Sequence, residues 1–133
     1  MPKGCYVWTS WGASEVTYEN CTFNTAGKAI LMYAEGKTCT VNVNNCTFEA
    51  TEGDKAGAIA NQNCAAIEID NFQGCNFTLN TSGNTVDSDF SGEWRIKSYD
   101  SNGSIKVNDV NYTSIALDGK TMTIDGSKNV TIE

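Results

Sequence analysis

Apolar and polar residues alternate with a period of two in a series of short runs: Val16-Thr17-Tyr18, Val41-Asn42-Val43, Phe77-Thr78-Leu79 and Ile105-Lys106-Val107. A period of two puts successive side chains on opposite faces of an extended chain, so each run predicts a half-buried β-strand. We call these the B strands. A second set, the A strands, precedes them at Cys5 to Ser10, Ala29 to Ala34, Ala66 to Asp70 and Glu93 to Asp100. Ile30 stands 11 residues before Val41, Ile67 10 before Phe77 and Trp94 11 before Ile105. The unit is therefore A strand, turn, B strand.

The unit recurs. Asn20-Cys21-Thr22-Phe23 returns as Asn45-Cys46-Thr47-Phe48, 25 residues later, and the B strands repeat at offsets of 25, 36 and 28 residues measured at Val16, Val41, Phe77 and Ile105. Equivalent residues follow one another in the same chain direction, as parallel stacking of strands about 4.8 Å apart requires. Hairpins packed as a β-sandwich are the structural rival. Val16, Val41, Phe77 and Ile105 would form one inner ladder, Tyr18, Val43, Leu79 and Val107 a second, and Cys21 and Cys46 a third continued by Ser82 and Val110. The third repeat has an alternative register, in which Ile67-Glu68-Ile69 is a B strand with Gly57-Ala58-Ile59 as its A partner.

The segments Thr25-Ala26-Gly27-Lys28-Ala29-Ile30-Leu31 and Val41-Asn42-Val43-Asn44-Asn45-Cys46-Thr47-Phe48 resemble the right-handed parallel β-helix repeat proteins of gut and other anaerobic bacteria. These belong to the broad pectin-lyase-like superfamily, and the resemblance covers residues 4 to 112. It implies an all-β fold, a right-handed parallel β-helix (β-solenoid) of about four coils across residues 1–112, with short strands in 113–133 completing or capping it. Such repeats occur in polysaccharide-degrading enzymes and in surface proteins, so the resemblance implies fold more than activity.

Composition narrows the partners. A chain of 133 residues fits one domain, and 16 acidic against 9 basic residues give a net charge of −7. Lys and Arg form no stripe that could displace counterions from nucleic acid. No apolar run approaches the ~20 residues of a membrane span, and the first residues lack the apolar stretch of a signal peptide, so export would use a signal elsewhere in a longer protein. Six cysteines without a CxxC pair, and no histidine, argue against zinc. Inner-ladder cysteines read as packed free thiols rather than bridges.

Arg95-Ile96-Lys97 is similar to the substrate-binding triplet of polygalacturonases, and Asn84-Thr85-Val86-Asp87 faintly to their catalytic Asn-Thr-Asp. The chain departs from that family in having no histidine motif and no second acidic motif, so no catalytic residue is assigned. A lyase would need calcium and a base: Asp87 and Asp89 are weak calcium candidates near Arg95, although an acidic turn explains them as well, and no cofactor is otherwise expected. On the outer face of the A strands, Trp8, Leu31, Glu68 and Arg95 would form one ladder and Ser10, Tyr33, Asp70 and Lys97 the next, pairing Glu68 with Arg95 and Asp70 with Lys97. Trp8, Trp11 and Tyr33 at one end offer aromatic rings on which sugars stack, or else cover the end of the coil.

The expected role is a non-catalytic surface or extracellular module, spacer or glycan-binding. Carbohydrate is the expected partner, together with self-association through the solenoid ends. A degenerate lyase or glycoside hydrolase acting on uronate polymers is the alternative.

Overall fold

A computed structural model describes residues 7–8, 15–25, 27–32, 38–50, 65–70, 76–97, 106–107, 110–111, 117, 119–127 and 129–133. All regular elements among them are strands. No helix there is long and apolar enough to cross a membrane.

Three sheets are visited in the same order on successive passes of the chain, each pass laying its strands parallel to those of the pass before. The first pass lays down β1 (Val7–Trp8), β2 (Glu15–Glu19) and β3 (Thr22–Thr25). The second adds β4 (Ile30–Met32), β5 (Thr38–Asn44) and β6 (Thr47–Ala50), and the third adds β7 (Ile67–Asp70), β8 (Asn76–Ser82) and β9 (Thr85–Val86). Then β10 (Trp94–Lys97) joins β7, giving sheet A the order β1-β4-β7-β10; sheet B contains β2, β5 and β8, and sheet C contains β3, β6 and β9.

Sheet A has the expected register, Val7↔Ile30↔Ile67↔Trp94. It settles the open alternative: Ile67 to Ile69 lie in an A strand, whereas Gly57 to Ile59 lie outside the described residues. The first two B strands also pair as expected, Val16↔Val41 and Tyr18↔Val43. Beyond them two expectations fail.

Val41 stacks on Leu79 rather than Phe77, and Phe77 stacks on Cys39. The turn between sheets B and C dictates this two-residue shift. Asn20 (φ 56°), Asn45 (φ 54°) and Gly83 (φ 65°) occupy left-handed conformations at the same corner of successive passes. Asn and Gly are the residues that tolerate that region. A Cβ on Gly83 would also run into Asn45 Oδ1. Asn45 N donates to Ser82 O at 2.8 Å and Thr85 N to Cys46 O at 2.9 Å, which locks the third pass. Asn84, not Ser82, thereby follows Cys21 and Cys46 in the corner column, where its side chain accepts from Cys46 N at 2.8 Å and donates to Val43 O at 2.9 Å.

The second failure is the fourth B strand. Within the segment expected to supply it, β11 (Lys106–Val107) and β12 (Val110–Asn111) pair antiparallel with each other. Asn108-Asp109 between them are turn-forming residue types, which favour reversal over extension. The edge of β8 is instead taken by β13 (Thr121–Ile124), antiparallel, with Met122 beside Leu79 and Ile124 beside Phe77. A turn at Asp125-Gly126 returns the chain as β14 (Val130–Ile132), so sheet B reads β14-β13-β8-β5-β2.

The core lies between the sheets. Ile30, Ile67 and Trp94 face it from sheet A, Val41, Leu79 and Met122 from sheet B, and Phe48 from sheet C, all buried. Phe23 stacks on Phe48 with ring centroids 5.1 Å apart. Val16, Tyr18 and Phe23 on the first pass hold inward positions yet stay half-exposed, because among the described residues β2 and β3 are the edges of their sheets.

Candidate functional site

The charged pair expected on sheet A is present in register, with Arg95 opposite Glu68 and Lys97 opposite Asp70. Its setting differs from the expectation. Glu68 is 1% exposed and Arg95 4%, so this ladder does not form an open face. Arg95 Nε donates to Glu68 Oε2, and Lys28 Nζ lies 3.6 Å from Glu68 Oε1. A charge is taken out of water at tolerable cost only when an opposite charge and hydrogen bonds meet it there. Alternation shows that Glu68 and Arg95 share a face turned from the core; it carries no sign of whether that face is covered. Lys28 was not among the expected site residues, and its place just ahead of an A strand was the available signal.

Trp8 is placed by backbone only, paired with Leu31. Trp11 and Tyr33 lie outside the described residues, as do the side chains of Asp70 and Lys97. Asp87 behaves as a turn residue: its carboxylate accepts from Asp89 N at 3.0 Å and from Ala50 N at 3.3 Å, while its own N–H continues sheet C by donating to Phe48 O. Among the described residues no three Cys, Asp or Glu side chains gather as metal ligands.

The described cysteines, Cys21, Cys39 and Cys46, are free thiols. Burial pushes Cys39 and Cys46 above the ordinary thiol value of 9.0. Tyr18, packed edge-on against Phe23, is also raised, first by burial and then by the neighbouring Cys39 and Cys21. These groups stay protonated and serve packing.

The outer face of sheet B carries a site that the sequence reading passed over. Two columns of its outward positions are uncharged and polar from β5 onward, while on β2 the carboxylate of Glu15 borders one of them and accepts from Asn42 Nδ2 at 2.9 Å. In one, Thr17, Asn42, Asn80 and Thr121 are bonded to one another: Asn42 Nδ2 donates to Thr17 Oγ1 (3.1 Å), Asn80 Nδ2 to Asn42 Oδ1 (2.9 Å) and Thr121 Oγ1 to Asn80 Oδ1 (2.6 Å). In the other, Thr40, Thr78, Thr123 and Thr131 follow one another across β5, β8, β13 and β14. Beside this second column opens a cleft of about 190 Å³ whose described lining joins the polar Thr38, Asn76, Thr78, Thr123, Asp125, Asn129 and Thr131 to the apolar Phe77 and Ile124. Asp125 is committed to its turn: Oδ1 accepts from Ser127 N (2.8 Å) and Asn129 N (2.9 Å), and Oδ2 from Asn129 Nδ2 (3.0 Å). Those bonds from Asn129 and Ser127 hold its carboxyl below the usual 3.8. The sequence signal was the Thr-x-Thr and Asn-x-Asn alternation in Thr38 to Asn44, Asn76 to Ser82 and Thr121 to Thr123.

Comparisons with protein-family models, curated proteins and solved structures found no match.

Proposed function

We propose that the chain is a right-handed parallel β-helix module of a surface or extracellular protein, and that it works by presenting a rigid strand-built face rather than by turnover. The parallel passes through sheets A, B and C support the fold part of this reading. The observation that carries the functional part is the burial of Arg95 and Glu68 against each other. A proton-abstracting base or a uronate-binding guanidinium must reach substrate, whereas this pair is occupied in holding strands β7 and β10 together.

The test is incubation of the purified protein with polygalacturonate, following release of unsaturated uronides and of reducing ends. The expected result is no product above the buffer control. Product formation that disappears in a folded Arg95→Ala variant would replace this reading with that of a degenerate lyase or hydrolase.

A further inference from the structure

Building on the reading of a non-catalytic module that presents a rigid face, we infer that the cleft on the outer face of sheet B takes a neutral saccharide, held by the threonine column of β8, β13 and β14. Three features of the site support this choice. The first is an imbalance between adjacent columns. The Asn42 and Asn80 amides satisfy their neighbours, while among the described residues the hydroxyls of Thr38, Thr78, Thr123 and Thr131 make no side-chain hydrogen bond within the protein. A hydroxyl both donates and accepts, so a row of them at the strand spacing of about 4.8 Å matches a ligand whose own groups also do both.

The second feature is charge. The described lining holds no cation, and its one carboxylate, Asp125, already receives three N–H donors. Among the described lining residues a uronate, sulfate or phosphate would find no counter-charge and would meet Asp125 as a like charge. A calcium ion, which takes 6–8 oxygen ligands, would find one carboxylate already engaged. Hydroxyls and amides beside the apolar Phe77 and Ile124, with no unengaged charge among the described lining, fit an uncharged polyhydroxyl compound, whose rings carry both hydroxyls and apolar C–H surface.

The third feature is rigidity. The cleft sits where β13 turns back into β14 beside β8, and the paired backbone of Thr78↔Thr123 and Thr123↔Thr131 fixes the hydroxyls relative to one another. Fixed groups lose little freedom on binding, which favours even a shallow site.

The experiment is a backbone-amide NMR titration with short cello-, manno- and xylo-oligosaccharides, and with trigalacturonate and calcium chloride as charged controls. At least one neutral series should shift the amides of Thr78, Thr123 and Thr131. Thr78→Val and Thr123→Val should each weaken that binding about threefold to tenfold, the effect of losing one hydrogen bond. Valine keeps the β-branched shape that strands favour, and an otherwise unchanged spectrum shows that the fold is retained. Absence of shifts with every neutral series overturns the inference. So does an equal response to trigalacturonate, a calcium-dependent shift at Asp125, or binding unaffected by both valine variants. Shifts confined to another face would remove the cleft and leave the non-catalytic module standing. Turnover of polygalacturonate would remove the module reading while the amide shifts still decide the cleft.

Discussion

At Gly83 two constraints meet, a left-handed φ of 65° and the side chain of Asn45 in the space where a Cβ would go. Gly83→Ala should therefore lower stability by about 1–2 kcal/mol, read as a fall in Tm, whereas Asn20→Gly, with only the φ to satisfy, should change it by a few tenths. The Glu68–Arg95 pair is more costly to disturb. Removing either partner takes from the other its in-register counter-charge at a buried site, and with Lys28 still beside Glu68 each of Arg95→Ala and Glu68→Ala should cost about 3 kcal/mol in a denaturant titration. The double change Glu68→Leu with Arg95→Met should recover most of that loss; a double variant no better than the singles would mean that the pair contributes more than mutual neutralisation. The thiols give a pH prediction. Cys39 and Cys46 ionise at higher pH in the folded protein than in the unfolded chain, so the unfolded chain gives up protons first as pH rises. Their contribution is complete below the ordinary value of 9.0 and is lost as pH climbs through the raised folded values. Tm should stay level through neutral pH and fall on the alkaline side, and thiol reagents should label these cysteines quickly only after unfolding; rapid labelling of native Cys46 would contradict its burial.

Strands make the limits of the hydrophobic pattern visible. Val43 sits between Tyr18 and Thr81 with no exposure, so Val43→Asp places an unpaired carboxylate in the ladder at a cost of several kcal/mol. Against a domain stability of 5–15 kcal/mol the variant should be largely unfolded by circular dichroism, and a melt equal to the parent's would contradict this register. The face that Val43 occupies was legible in the sequence because alternation fixes parity. Its partner was not. Sliding β8 by two residues keeps every side chain on the same face, so Phe77 and Leu79 serve either register equally well, and the corner residues Asn45 and Gly83 decide. Strand direction is equally invisible to a period of two, which is why Met122 and Ile124 on an antiparallel strand can replace the expected Ile105 and Val107. For the site, the pairing of Glu68 with Arg95 was legible from strand spacing, while its burial depends on what packs over it. The threonine column looked like ordinary outward polarity, since only the neighbouring column's internal bonding sets it apart.

At the scale of the molecule, a stack of parallel strands has ends, and exposed ends invite other strands. Among the described residues the first-pass end of sheet B is β2, whose outward positions Glu15 and Glu19 align with Thr40 and Asn44 on β5. Pairing β2 with the same strand of a second copy, antiparallel about Thr17, would set Glu15 opposite Glu19 twice over, and like charges directly opposite destabilise a ladder. The combined variant Glu15→Thr, Glu19→Asn should self-associate in sedimentation velocity at concentrations where the parent sediments as a single slower species. High salt should push the parent the same way by screening. A variant that stays as slow as the parent would show that these carboxylates do not guard the edge. At the other end the final strand is only three residues long and the chain has reversed direction through β13. In sheet B that reversal covers the third-pass edge of the parallel strands with a strand of opposite direction. A duplicated 25-residue unit could be spliced in between β3 and β4 or between β6 and β7, where each pass already follows the one before in parallel register, but not after β8, whose edge in sheet B the returning chain has used. Lengthening such a protein by gene duplication, in evolution or in design, would have to happen among its parallel passes, ahead of the strand that reverses.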